Sequence, residues 1–231
     1  MTGDLGEWQG VARPERRVLE GCYARLEPLN AGHADDLYRA ASADGAEERF
    51  RYLFDPVPQD KADLDRWIDK ASVSDDPLFF AVIDKATGLA EGRQALMRID
   101  PVHGVAEIGS ILWGPAMART RIATEAFHLF ASHVFDTLGY RRFEWKCDDR
   151  NLPSRRAAER FGFTFEGIFR QHMVVKGQSR DTAWFSITDG EWPEISAAMT
   201  RWLDPENFDP SGEQRHRLEA FRSTWHSDAD A

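Results

Sequence analysis

Cysteine is nearly absent from this 231-residue chain. Its two cysteines, Cys22 and Cys147, stand far apart and neither belongs to a CxxC pair. That excludes a disulfide framework and a cysteine metal knuckle, so no metal and a reducing compartment are expected. Basic residues are also scarce: 29 Lys and Arg face 39 Asp and Glu, a formal net charge of −10. A nucleic-acid partner needs a basic face to neutralise phosphates, and is therefore not expected; a cationic or amine-bearing substrate fits the balance better. No stretch approaches the ~18 consecutive apolar residues of a membrane span. The opening MTGDLGEWQG has neither the basic region nor the apolar run of a signal peptide. No membrane partner and a cytoplasmic location are the expectation. Internal repeats and low-complexity blocks are missing too. What remains is a chain long enough for one α/β domain with terminal extensions.

Three segments are expected: a polar arm over residues 1–17, pinned by Trp8; one domain over 18–192; and a C-terminal helical extension and tail over 193–231. Alternation in YARLEPL predicts a first strand within Val18–Leu29. Asn30 is a plausible N-cap for a helix over Ala31–Ala43. A short helical or turn segment with Phe50, Tyr52 and Phe54 ends at Pro56 and Pro58. Leu64, Trp67 and Ile68 form one stripe of a helix over Gln59–Ala71. The apolar run Leu78–Ile83 reads as a strand covered on both faces. With Gly92–Ile99 and Val105–Trp113 it makes a three-strand meander.

The centre of the chain is VAEIGSILWGPAMARTRIATEAFHLFASHVFDTLG, Val105 to Gly139. It reads as strand Val105–Trp113, connector Gly114–Arg121 and amphipathic helix Ile122–Leu138 stopped by Gly139. The connector carries two arginines into a helix N-terminus, where free N–H groups and the helix dipole favour an anion such as a diphosphate. A strand over Arg141–Cys147 follows, then a helix opened by Asn151 and Ser154 and ended near Gly162. Phe163–Val175 and Asp181–Thr188 form a hairpin across KGQSR. Glu191–Leu203 is a helix, and a solvated helix is expected to reach about Trp225 before the tail SDADA.

The order of strand, RTRIATEA loop and helix, strand, N-x-x-S helix (Asn151, Ser154), E-R-F-G-F (Glu159–Phe163), E-G-x-x-R (Glu166–Arg170) and a later Asp181 resembles the GNAT superfamily of N-acetyltransferases, closest to its RimJ/RimL-type branch. The resemblance spans roughly Val18 to Trp192. It implies an α/β (α+β) fold with a mixed, mostly antiparallel sheet of about seven strands flanked by helices on both faces. It also implies acetyl-coenzyme A as cosubstrate and direct acetyl transfer to an amine acceptor.

By that resemblance, the backbone of Ser110, Ile111, Leu112 and Trp113 pairs with the pantetheine arm. The pyrophosphate falls on the family's Q/R-x-x-G-x-G/A loop, here Ala118, Arg119, Thr120, Arg121, Ile122 and Ala123, followed by Thr124. Ala118 and Arg121 depart from that pattern. Because backbone N–H groups do most of the holding, a lost glycine need not abolish binding. Arg119 and Arg121 either add charge against phosphate or are solvated surface arginines; Thr120 and Thr124 cap the helix, bind phosphate, or both. Asn151 would hold the pantetheine arm and Ser154 would sit beside the sulfur, with simple N-capping the alternative for the pair.

An alkylammonium must lose a proton before it attacks a thioester. Glu107, an acid in an apolar strand, is the leading base; the alternatives are a carboxylate facing water or an ion pair with Arg98. His172 in QHMVV is a second candidate. Trp67, Phe50, Tyr52, Trp145 and Trp184 either wall an acceptor pocket or belong to the core, and Arg170 with Asp181 reads as a hairpin-stabilising pair. Acceptors in view are a protein N-terminal α-amino group, as in ribosomal proteins, or a small-molecule amine. A non-catalytic acyl-coenzyme A binding module is the reading of another class. A homodimer through the helices around Trp192 and Trp202 is a further expectation.

Overall fold

A computed structural model of the chain describes residues 5–222. In chain order its elements are β1 (Leu19–Glu20), β2 (Ala24–Pro28), α1 (Ala34–Ser42), α2 (Ala46–Phe50), α3 (Lys61–Ala71), β3 (Leu78–Asp84), β4 (Ala90–Asp100), β5 (Val105–Trp113), α4 (Arg121–Ser132), β6 (Arg142–Asp148), α5 (Leu152–Phe161), β7 (Thr164–Val175), β8 (Gln178–Thr188) and α6 (Trp192–Trp202). The strands form one sheet in the order β1-β2-β3-β4-β5-β6-β8-β7. Every neighbouring pair is antiparallel except β5 with β6. That pair is parallel because α4 carries the chain across between them, as a parallel connection requires.

The apolar run of β3 shows how the layers form. Its side chains alternate between two cores: Phe80 and Val82 pack beneath α4 and α6, whereas Phe79, Ala81 and Ile83 pack against α1 and α3. In the first core Phe127 of α4 stacks on Phe161 of α5 at 4.5 Å. In the second, Trp67 meets Phe79 edge to face at 5.1 Å. Each such buried aromatic contributes about 1.5–3 kcal/mol relative to exposure. Helix starts are set by side chains that accept backbone N–H bonds: Asn30 from Gly32, Asp60 from Asp63, Thr120 from Ile122 and Asn151 from Ser154. A cap of this kind is worth about 1 kcal/mol.

Several expectations change. The sheet has eight strands, the first only two residues long. The helix expected to run unbroken to Leu138 is α-helical to Ser132 and closes with a π-helical turn, His133–Thr137, before Gly139 at φ 73°. The KGQSR connection shrinks to Lys176 and Gly177, both at positive φ, and Gln178 already pairs with Val175. Two left-handed residues in succession match the twist of a hairpin, so the strands continue to the turn.

The solvated C-terminal helix is replaced within the described residues by one 3-10 turn, Leu218–Phe221. Asn207 accounts for this. Its side chain donates to the carbonyls of Trp202 and His216 and accepts from the His216 N–H, which engages both backbone groups of His216 that a helix would need. Leu218 is fully buried, against a solvated-face expectation. The expected helix end near Trp225 and the SDADA tail lie outside the described residues. Trp192 and Trp202 are buried in the chain's own core, on the inward face of α6. At the other end, Trp8 Nε1 donates to the Val102 carbonyl at 2.7 Å and fastens the N-terminal segment.

Candidate active site

β5 and β6 pair from Val105↔Arg142 to Ile108↔Trp145 and then part. The cause lies on the other side of β5. Its register with β4 passes from Ala95↔Gly109 to Arg93↔Leu112, so Ser110 and Ile111 together stand opposite Gln94. Such a bulge bends a strand, and Ser110 takes φ 50° within it. Buried Arg93 pins the bend. Its Nη1 donates to Ser110 O at 2.9 Å and to Ser110 Oγ at 2.5 Å, its Nη2 donates to Asp55 Oδ2 at 2.8 Å, and its plane lies 4.0 Å from the Trp67 ring. Burial pulls this guanidinium's pKa down and Asp55 opposes the shift. Beyond Ile108, the side of β5 that faced β6 has no strand against it. Its backbone groups are open to an extended ligand.

The parting strands enclose a cleft of about 290 Å³. Glu107, Ser110, Ile111, Leu112, Trp113, Asn151 and Ser154 all line it, with Ala118 at its end. Arg119, Thr120, Arg121, Ile122, Ala123 and Thr124 are not in its wall; they continue from Ala118 into the first turn of α4. Thr120 caps that turn, with its Oγ1 accepting from Ile122 N at 3.2 Å and donating to Met117 O at 2.7 Å. Thr124 Oγ1 accepts from Arg160 Nη1 at 3.0 Å. Arg119 is exposed, has no ion pair among the described residues, and sits at φ 66°. Arg121 is turned aside: its guanidinium stacks 4.3 Å from Tyr23 and 5.2 Å from Phe208. Arg119 is therefore the freer of the two charges.

On the opposite wall, Asn151 caps α5 through Ser154 N at 3.2 Å while also lining the cleft. Ser154 Oγ accepts from Trp145 Nε1 at 2.9 Å, which fixes the hydroxyl oxygen in place. Its neighbour Cys147 is buried, and burial pushes that thiol up to about 11 although Ser154 opposes the shift. The thiol is uncharged at neutral pH.

Glu107 sits where the strands separate, with its side chain 3% exposed. The Arg98 alternative raised by the sequence is present: Arg98 Nη1 donates to Glu107 Oε1 at 2.7 Å. Lys146 Nζ lies 2.9 Å from Oε2 and 2.6 Å from Glu144 Oε2, beneath the Trp184 ring at 3.9 Å. Lys146 thus pairs with Oε2, the more deeply buried of the contacts at this carboxylate. Burial pushes the Glu107 carboxyl up; Lys146 and then Arg98 oppose it. His172 also reaches this cleft, its Nδ1 3.0 Å from Thr182 Oγ1.

Arg93, Lys146 and Arg180 were not singled out by the sequence reading. Arg93 and Lys146 each stand in a strand that carries other charged residues, so nothing local set them apart. The Arg170–Asp181 pair is not formed. Asp181 Oδ1 instead accepts from the Gln171 N–H at 2.7 Å, in the irregular part of β7 where backbone groups lack ladder partners. Of the aromatics, Phe50 and Trp145 are buried in the two sheet cores or their extension, and Trp145 and Tyr52 touch the cleft. Among the described residues no His, Cys, Asp and Glu side chains are grouped to hold a metal ion, and no helix is long and apolar enough to cross a membrane.

The cleft thus joins an open strand edge to a capped helix start, with the α4 turn at one end and a buried acid at the other. The chain belongs to the acetyltransferase (GNAT) domain family, which matches residues 24–164. No curated protein sequence matches it. Among solved structures, a GCN5-related N-acetyltransferase from Brucella melitensis is 61% identical at TM-score 0.93, over 94% of this chain and 99% of that one. A protein from Chromobacterium violaceum ATCC 12472, described as a probable acetyltransferase of the GNAT family, is 37% identical at TM-score 0.76, over 84% and 96%. At 16% identity and TM-score 0.65, over 74% and 99%, an acetyl transferase from Salmonella typhimurium that modifies the N-terminal serine of 50S ribosomal subunit protein L7/L12 shares the fold.

Proposed function

We propose that this acetyltransferase moves acetyl from acetyl-coenzyme A directly to a primary amine bound in the cleft between β5 and β6. The observation that carries this is the parting of the two strands beyond Ile108↔Trp145, which leaves backbone groups open beside Asn151, Ser154 and Glu107. Residues 110–113 would pair with the pantetheine amides, and the N–H groups of the α4 turn, with Arg119, would hold the pyrophosphate. Glu107 takes the proton that the substrate ammonium must lose, as the C–N bond forms and the thioester C–S bond breaks. The Ser154 hydroxyl donates to the departing sulfur. Its oxygen is already fixed by Trp145, which leaves the hydroxyl hydrogen for that bond.

The motif order of the RimJ/RimL-type branch makes a protein N-terminal α-amino group one acceptor to screen. The Salmonella likeness supports the fold alone.

Calorimetry with acetyl-coenzyme A on the wild type and on Arg119→Ala/Arg121→Ala tests the donor site. Submillimolar binding that weakens about tenfold or more in the double variant supports it, and thiol release that depends on added amine supports transfer. Affinity without release in any amine would leave a binding module. Absence of binding in the wild type overturns the proposal.

A further inference from the structure

Among the described residues, every charged side chain in the cleft wall has a partner except one. Glu107 is held by Arg98 and Lys146, and Asp148 by Arg150 at 2.9 Å. Arg49 donates to the carbonyls of Ala41, Ala43 and Asp44. Arg180, on β8, lines the same cleft and is 7% exposed, yet its side chain makes no hydrogen bond and no ion pair among the described residues; its Nε is buried without an acceptor there. Its guanidinium faces the ring of Phe54, itself half exposed, at 5.4 Å. Asp148 is near enough to act on it electrostatically, but its carboxylate is taken by Arg150.

A guanidinium has five N–H donors and cannot shed its charge, so burying it unpaired is unfavourable unless a ligand completes it. The surrounding balance points the same way. The cleft wall holds four cations, Arg49, Arg98, Lys146 and Arg180, against two acids, Glu107 and Asp148, in a chain whose net charge is −10. An acceptor that is only a cation would meet a like-charged site.

We infer that Arg180 is an anion receptor for the acceptor, which is a small amine carrying a carboxylate or phosphate group. Arg180 grips that group through its planar donors, and the amine at the other end of the molecule turns toward Glu107. The cleft of about 290 Å³ is shared with the donor's acyl end, which leaves the acceptor room only for a small molecule. This rests on the acetyl-transfer reading and adds the substrate class to it.

The test runs matched acceptors on the wild type: free amino acids against their carboxamides for the carboxylate arm, and phosphoethanolamine against ethanolamine for the phosphate arm. An anionic member favoured at least tenfold in kcat/KM supports the inference, and the arm showing it identifies the group. In Arg180→Gln that preference should collapse, chiefly through KM, with acetyl-coenzyme A affinity unchanged and Tm not lowered. Arg180→Lys should restore part of it. Equal use of neutral and anionic amines by the wild type, or a preference that survives Arg180→Gln, overturns the inference and leaves acetyl transfer standing. No thiol release with any amine and no acetyl-coenzyme A binding overturns both.

Discussion

At the scale of single residues, the decisive feature is that Glu107 is buried and clamped by two cations. Burial raises its proton affinity and the cations lower it, so in the proposed role the clamp would set the pH at which it can accept a proton. Glu107→Gln should reduce kcat about 10²–10⁴-fold, the usual range for a positioned base. The loss should shrink at high pH, where the amine deprotonates in solution. Lys146→Met removes one opposing cation, so the acidic limb of the kcat/KM profile should move to higher pH. The sign follows from the carboxylate losing a stabilising charge. A pH–rate profile of both variants checks this, and an unmoved limb in Lys146→Met would detach Glu107 from the titration. Lys146→Met should also lower Tm, because Glu144 and Glu107 are left with less compensation inside the protein.

At the scale of elements, the bulge in β5 and its buried brace matter most. Arg93 spans from Ser110 to Asp55, and no single ammonium reproduces that fork. Arg93→Met and Arg93→Lys should both raise KM for acetyl-coenzyme A about tenfold, with a smaller change in kcat, since they loosen the strand edge and leave the base in place. Steady-state kinetics with varied acetyl-coenzyme A separates the two effects.

This brace also marks where the sequence stops being informative. The bounds of β5, Val105–Trp113, and the caps Asn30 and Asn151 could be read locally, because periodicity and capping are properties of neighbouring residues. The convergence of Glu107, Asn151 and Ser154 came from motif order. The bulge could not be read, since it depends on the register of β4 against β5. Nor could the contacts of Arg121 with Phe208, or of Lys146 with Glu107, which join residues far apart in the chain. Arg180 escaped notice because an arginine next to a turn in sequence reads as solvated, whereas Gln178–Arg180 belong to a strand. The C-terminal helix failed for a related reason: side-chain bonds from Asn207 override a local helical pattern.

At the scale of the whole molecule, charge is unevenly placed: a net −10 overall, and a cleft wall in which cations outnumber acids. The two act over different distances. Far from the surface an approaching diphosphate meets the summed negative field, and the cleft's cations matter only within a few ångströms. Dissolved salt cuts the first and barely touches the second, because the screening length is about 10 Å at 0.1 M and pairs inside the protein are shielded little. The association rate constant for acetyl-coenzyme A should therefore rise as salt is added from about 10 to 150 mM, and stopped-flow binding over that range measures it. A fall instead would mean that the cleft's cations steer from a distance. A rise means that the protein filters its own ligands kinetically: polyanions are slowed at the periphery and secured only on arrival, so this cleft loads faster in salt than in dilute buffer.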